Sequence, residues 1–169
     1  MGIVLIWLVG VALFLGVARG AEPVAETALE KIEGLATLVE LRRLYLHGNR
    51  IYRIEGLHTL TRLTTLWLAQ NKIRRIEGLE NIETLTELNL ASNEIDQIGD
   101  NLLYNQNLAN LNLSANKIGC FKEVCCLARL PHLVSLSFND PHWGENPIAT
   151  LCNYQTYVMY HLRQLASLD

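Results

Sequence analysis

Leucine and isoleucine return at fixed positions in units of 22 residues along most of the chain. The first full unit runs from Leu41 to Leu60, and the second repeats its apolar positions in register from Leu63 to Ile82. A fixed period in this range is typical of proteins in which each unit is one strand and a short return segment. Since one such unit cannot bury its apolar face alone, the pattern predicts units that stack into a solenoid.

The later units are longer, and the extra residues fall outside the strands. The third and fourth units span 23 and 25 residues. In the fourth, apolar residues at three- and four-residue spacing predict a helix in the return segment, through Phe121, Val124, Leu127 and Ala128. In the fifth, the segment Asn139 to Glu145 delays the next Asn-Pro pair by about five residues relative to the repeat.

An asparagine follows the apolar strand in four successive units, at positions 49, 71, 93 and 116. There the chain leaves the strand and turns, so backbone groups need new hydrogen-bond partners. A side-chain amide can supply both a donor and an acceptor, and each buried group left unpaired costs roughly 1–3 kcal/mol. The four copies in register therefore predict a ladder of structural asparagines.

The return segment reads Asn-x-Ile-x-x-Ile-x-Gly-Leu-x-x-Leu at 49–60, and nearly so at 71–82. It resembles the 22-residue, sds22-like class of leucine-rich repeats, and the stretch from Asn146-Pro147 to Asp169 resembles the cap that closes such arrays. The resemblance implies an α/β solenoid with parallel strands on the concave face and short 3-10 or α segments on the convex face. It also implies a non-enzymatic, cytoplasmic scaffold or adaptor that binds a protein partner through its concave face. Such a scaffold could be a phosphatase subunit, an axonemal or centrosomal component, or a ribonucleoprotein subunit, and its partner a phosphatase or an axonemal or centrosomal component.

These patterns divide the chain into a leader (1–20), about five repeats with the first incomplete (21–145), and a cap helix with a final strand (146–169). Ile3 to Val17 is almost wholly apolar and precedes a small-x-small tripeptide at Ala18-Arg19-Gly20, as in a cleaved secretory signal. It is too short for a comfortable membrane span. Two alternatives stay open: an alternative start that replaces upstream repeats, and a helix packed beside the open first repeat.

Cysteine usage argues against a secreted disulfide scaffold, because all four cysteines lie in the C-terminal half, at 120, 125, 126 and 152. Four cysteines allow three pairings, and their spacing selects none of them. No Cys-x-x-Cys pair occurs, so we expect reduced thiols around the return helix and no metal site. The single glycosylation sequon begins at Asn112, between two apolar strand positions, where an acceptor is not expected.

Charge and motif content exclude other classes of function. The net charge of −3 lacks the basic footprint of direct, non-specific nucleic-acid binding. The sequence contains no nucleophile elbow, phosphate-binding glycine loop or zinc-protease motif. Its histidine and acidic residues are scattered, so we expect neither catalysis nor a cofactor.

The candidate binding residues are those that alternate with the strand leucines and therefore point away from the core. Parallel strands lie about 4.8 Å apart, which predicts that Tyr45 and Trp67 lie side by side as exposed aromatics. Aromatic residues flanked by charge are typical of interface hot spots. Because the face beyond Asn89 reads as small and polar, a partner is expected on its N-terminal half. The predicted partner-binding residues are Arg43, Tyr45, His47, Thr65, Trp67, Glu87 and Asn89.

Overall fold

A computed structural model describes residues Leu5–Trp7 and 28–169. In this part of the chain, seven strands form one parallel sheet in sequence order, and two form a small antiparallel hairpin. The strands are β1 (Leu5–Trp7), β2 (Arg43–Tyr45), β3 (Thr65–Trp67), β4 (Glu87–Asn89), β5 (Asn110–Asn112), β6 (Ser135–Ser137), β7 (Asn139–Asp140), β8 (Gly144–Glu145) and β9 (Ser167–Leu168). The hairpin consists of β7 and β8. The predicted solenoid of parallel strands is confirmed.

The apolar positions of the repeat form one continuous core along the solenoid. The central strand residues Leu44, Leu66 and Leu88 align across the sheet and are at most 1% exposed. Isoleucines of the return segments, such as Ile51 and Ile73, are fully buried against them. Burial of one such side chain stabilises the fold by about 1.5–3 kcal/mol, so the repeat stacks because every unit completes its neighbour's core.

The asparagine ladder is confirmed, and it has one more rung than the sequence predicted. Asn93 is typical: its Oδ1 accepts the Ile73 amide at 3.0 Å, and its Nδ2 lies within 3.0 Å of the Leu68 and Leu90 carbonyls. Asn146 is fully buried and accepts the Ile118 amide at 3.0 Å in the same way. Thus the β7–β8 hairpin loops out five residues without breaking the ladder.

Two helices and one 3-10 turn occupy the C-terminal return segments. Helix α1 (Lys122–Leu127) buries Val124 and Leu127, while Ala128 caps its C-terminus and is exposed. A 3-10 turn (Pro147–Thr150) and helix α2 (Tyr154–His161) precede β9.

Most of the predicted leader lies outside the described residues. Its part Leu5–Trp7 has an extended backbone, and these three residues pair in parallel with Arg43–Tyr45. Whether residues 1–20 act as a signal stays a prediction. Within the described part of the chain, we find no helix with the length and apolar character needed to cross a bilayer.

Candidate protein-binding face

Two rows of side chains run across the strand face of the solenoid, on either side of the buried leucines. The strand register places Arg43, Thr65 and Glu87 in the first row, continued by Asn110, Ser135 and Ser167. It places Tyr45, Trp67 and Asn89 in the second row, continued by Asn112 and Ser137. Except for His47, which follows β2, every predicted binding residue therefore belongs to one of two adjacent rows.

Tyr45 and Trp67 form the predicted aromatic pair. Their ring centroids are 5.3 Å apart with an interplanar angle of 78°, an edge-to-face arrangement. The ring of His47 lies 6.5 Å from that of Trp67, also edge to face. Such aromatic pairs contribute about 0.5–1.5 kcal/mol beyond their buried area. The three rings thus form a connected shelf on β2 and β3, which we call the aromatic shelf (Tyr45, His47 and Trp67).

Glu87 fixes the orientation of this shelf. The Trp67 indole Nε1–H donates a hydrogen bond of 2.7 Å to Oε1 of Glu87 on the next strand. A hydrogen bond to a charged acceptor is stronger than one between neutral groups. The indole is therefore held in one position before any partner arrives.

The predicted exposure of these residues was wrong in part. Tyr45 and Trp67 are half-buried, whereas Thr65 and Asn89 are only 7% and 9% exposed. The short side chain of Thr65 lies between the longer Arg43 and Glu87 in the same row, on strands about 4.8 Å away. The Asn89 carboxamide folds back, with Oδ1 accepting the Ala91 amide at 3.0 Å. Thr65 and Asn89 form the floor of the face rather than its contact surface.

The C-terminal half of the face contains two acidic residues that the repeat pattern did not reveal. Asp140, on the hairpin, accepts a 3.1 Å hydrogen bond from Asn112 Nδ2. Asp169, after β9, accepts the amides of Phe138 and Asn139, both at 2.8 Å. With Glu87 they line a cavity of about 250 Å³ on the strand face, which we call the acidic trough (Glu87, Asp140 and Asp169).

Asp169 also faces a buried phenol. Tyr154 on α2 is 5% exposed. Burial raises the pKa of the Tyr154 hydroxyl well above its ordinary value, and the neighbouring Asp169 carboxylate raises it further. The phenol therefore stays neutral, since its anion would be poorly solvated beside another negative charge.

Comparison with known proteins places this architecture in a family. A family model described as leucine-rich repeat matches residues 31–169. The chain belongs to the leucine-rich repeat family.

Solved structures with leucine-rich repeats share the fold. The internalin InlF from Listeria monocytogenes has a TM-score of 0.68 and 24% identity, covering 84% of this chain and 38% of the internalin chain. A chain of the Drosophila melanogaster SNF/U2A′ complex has a TM-score of 0.69 and 28% identity, covering 84% of this chain and 78% of that one. The present chain thus spans well under half of the internalin and most of the second relative.

The return side of the repeats has a different chemistry. The carboxylate of Glu94 contacts Lys117 at 3.3 Å and Arg74 at 3.2 Å. The hydrogen bond and charge of Lys117, with a smaller effect of Arg74, lower the pKa of Glu94. On this side the Glu94 carboxylate is therefore paired with two cations, whereas Glu87 on the strand face is bonded to a neutral indole.

The cysteines also lie away from the strand face. All four are free thiols, three of them exposed. Cys125 Sγ lies 3.4 Å from the Tyr157 hydroxyl, and partial burial raises the pKa of the Cys126 thiol. Among residues 28–169, no three His, Cys, Asp or Glu side chains converge so that they could hold a metal ion.

Proposed function

We propose that this leucine-rich repeat chain is a non-enzymatic scaffold or adaptor that binds a partner protein through its strand face. The aromatic shelf is the observation on which the proposal depends. Tyr45 and Trp67, with ring centroids 5.3 Å apart, offer a large, partly exposed apolar contact on an otherwise polar surface. Tyrosine and tryptophan are the residue types enriched at the energetic centres of protein interfaces.

The Trp67 indole is already ordered in the free chain, which favours binding. A side chain that is immobilised on binding costs about 0.5–1.5 kcal/mol in lost rotamer freedom. The Glu87 hydrogen bond and the Tyr45 ring already hold the Trp67 indole. A partner that packs on the shelf therefore avoids much of this cost.

The comparisons support a protein partner in general terms. The chain that shares 28% identity comes from the SNF/U2A′ complex, so a similar solenoid is found assembled with another protein. We also propose that the repeats are of the sds22-like class. The partner would then be a phosphatase, or an axonemal or centrosomal component, and the complex would lie in the cytoplasm, at the cilium or at the centrosome. The chain resembles leucine-rich-repeat-containing protein nine in the hairpin segment and in Leu151-Cys152-Asn153-Tyr154. This relationship would make the chain part of a longer multi-repeat protein.

A secreted or lumenal recognition module is the second candidate, and the apolar run Ile3 to Val17 is the observation that favours it. The intact mass of the protein from its native cells separates the two. Loss of residues 1–20 would place the binding face in the secretory pathway, and an uncleaved chain would place it in the cytoplasm.

The test of the binding face is co-purification from native cells with three forms of the chain. Trp67→Ala removes the shelf, whereas Tyr104→Ala removes an aromatic that is 60% exposed in a return segment. We expect the partner to be lost with Trp67→Ala and retained with Tyr104→Ala, with both variants melting as folded proteins. Equal recovery with both variants would refute the proposal.

A further inference from the structure

We propose that the partner presents an arginine to the acidic trough, through a short segment that packs an apolar residue on the aromatic shelf. This inference rests on the proposed function and specifies the chemistry of the partner.

The charges of the trough have no counterpart within the described chain. Five ion pairs occur among the described residues, and their acidic members are Glu40, Glu77, Glu94 and Asp100. Glu87, Asp140 and Asp169 take part in none of these pairs. Among the described residues that line the cavity there is no Lys, Arg or His. The trough is therefore a built concentration of negative charge with room for a cation.

Hydrogen bonds hold all three carboxylates in place and leave acceptor capacity. Oε1 of Glu87 is bonded to Trp67, and Oδ1 of Asp169 accepts two backbone amides. Asp140 accepts the His142 backbone amide at Oδ1 and the Asn112 side-chain amide at Oδ2. A carboxylate has about four lone-pair sites on its two oxygens. Each carboxylate therefore keeps lone pairs that can accept further hydrogen bonds, which suits the forked donors of a guanidinium.

The side-chain amide of Asn89 on the floor of the trough favours a peptide over a free cation. Asn89 is 9% exposed and lines the cavity, and its Oδ1 is used by the Ala91 amide. Its Nδ2 makes no hydrogen bond with another described residue and is not one of the buried unpaired atoms, so it can donate to a ligand at the surface. A backbone carbonyl of a bound segment would accept this hydrogen bond. A bare metal ion would not, and among the described residues no three ligand side chains converge to hold one.

The register of the strands predicts the spacing between the two recognised residues of the partner segment. Trp67 is in register with Asn89, and Asn89 with Asn112 at the far side of the trough. Two strand spacings amount to about 9–10 Å. An extended chain covers that distance in about three residues. We therefore expect an apolar residue and an arginine separated by about three positions in the partner segment.

The probe is a phage library of random dodecamers selected on the immobilised full chain. A synthetic consensus peptide is then measured by fluorescence anisotropy against the wild type, Glu87→Gln and Trp67→Ala. Glu87→Gln keeps the Oε1 acceptor for the Trp67 indole and removes only the charge. Glu83→Gln, an exposed glutamate outside the trough, is the matched control for net charge.

We expect consensus peptides with an apolar residue and an arginine. Their affinity should fall at least about tenfold on arginine-to-citrulline replacement or with Glu87→Gln, as for an interfacial charge pair. Glu83→Gln should leave the affinity unchanged, and all variants should melt like the wild type.

Peptides without a cation that need Trp67 but tolerate Glu87→Gln would overturn this inference and leave the proposed function standing. Peptides that bind Glu87→Gln and Trp67→Ala at wild-type affinity would overturn both this inference and the proposed function. Failure of the library to yield any binder would overturn the claim that a short segment suffices.

Discussion

At the residue scale, the asparagines turn a repeated sequence into a repeated structure. Each rung satisfies a backbone amide of the preceding repeat and carbonyls at the end of its own strand, as Asn71 does with the Ile51 amide and the Leu68 carbonyl. The side chain thus replaces hydrogen bonds that the turn removes. Four rungs could be predicted because they keep the period. Asn146 could not, since five inserted residues displace it from the register.

We expect Asn93→Ala to lower the free energy of unfolding by about 2–3 kcal/mol, because the buried Ile73 amide loses the Asn93 Oδ1 acceptor. The Leu68 and Leu90 carbonyls each keep one asparagine donor, from Asn71 and Asn116. Urea unfolding checks the value. Asn107→Ala, which removes an exposed hydrogen bond to the Glu83 carbonyl, serves as the control and should cost no more than about 1 kcal/mol. Equal losses of unfolding free energy in Asn93→Ala and Asn107→Ala would mean that the ladder is not a major source of stability.

A second residue-scale prediction concerns alkaline stability. The pKa of Tyr154 is raised in the folded protein, so above the ordinary tyrosine pKa the unfolded chain releases a proton that the folded chain retains. The stability from this group is complete below that pH and is lost as the pH rises. We expect Tyr154→Phe to flatten the fall in unfolding free energy between about pH 10 and 12. If the unfolding free energy of the variant and of the wild type fell equally over this pH range, the prediction would be contradicted.

A third prediction concerns Glu94, whose pKa is lowered mainly by Lys117. Lys117→Ala should move that pKa back up toward its ordinary value, whereas Arg74→Ala should have the smaller effect. A carboxyl-detected NMR titration measures both. The exposed pair should add little to stability, so the melting temperature should hardly change. A larger shift with Arg74→Ala would reverse the assignment of the cause.

At the element scale, close stacking of the return segments depends on two glycines. Gly78 has φ +71°, and a Cβ there would lie 2.2 Å from the Ile54 carbonyl oxygen. Gly56 approaches the Ile32 carbonyl in the same way, at 2.5 Å. The sequence showed these glycines in register, but only the geometry shows that the preceding repeat leaves no room for a side chain.

Gly78→Ala should therefore destabilise the protein more than Gly48→Ala. Both positions have a positive φ, at +71° and +72°, but a Cβ at Gly48 would meet nothing within 4 Å. The shared conformational cost is about 1–2 kcal/mol. The clash at Gly78 should add about 1–3 kcal/mol. Thermal or urea unfolding of the two variants gives the difference directly, and equal stabilities would show that the repeats can separate at no cost.

The position of the hairpin could not be predicted from the sequence. The insertion after Phe138 was visible as a break in the period, yet nothing in its composition fixed the side on which it would lie. The Asp140–Asn112 hydrogen bond places it over the strand face. Asp169, which is 29 residues further along the chain, reaches the same cavity because β9 pairs with β6. Contacts between distant segments, and hence the acidic trough, do not follow from periodicity.

At the scale of the whole molecule, the two ends of the strand face differ in chemistry. The N-terminal end has the aromatic shelf and Arg43, and the C-terminal end has the acidic trough. The alternation of residues along the strands predicted the first, and the cap and hairpin create the second. A partner that spans both ends would bind in one direction only, because an apolar residue and a cation must each meet their own site.

The claim that the strand face is the binding surface is tested most directly by photo-crosslinking in native cells. A photoreactive amino acid is placed at Asn110, exposed on the strand face, and in a second chain at Tyr104, exposed in a return segment. We expect a discrete crosslinked partner from position 110 that is absent from position 104 and is lost with Trp67→Ala. Crosslinks from position 104 alone would place the partner on the opposite side of the solenoid and refute binding through the strand face.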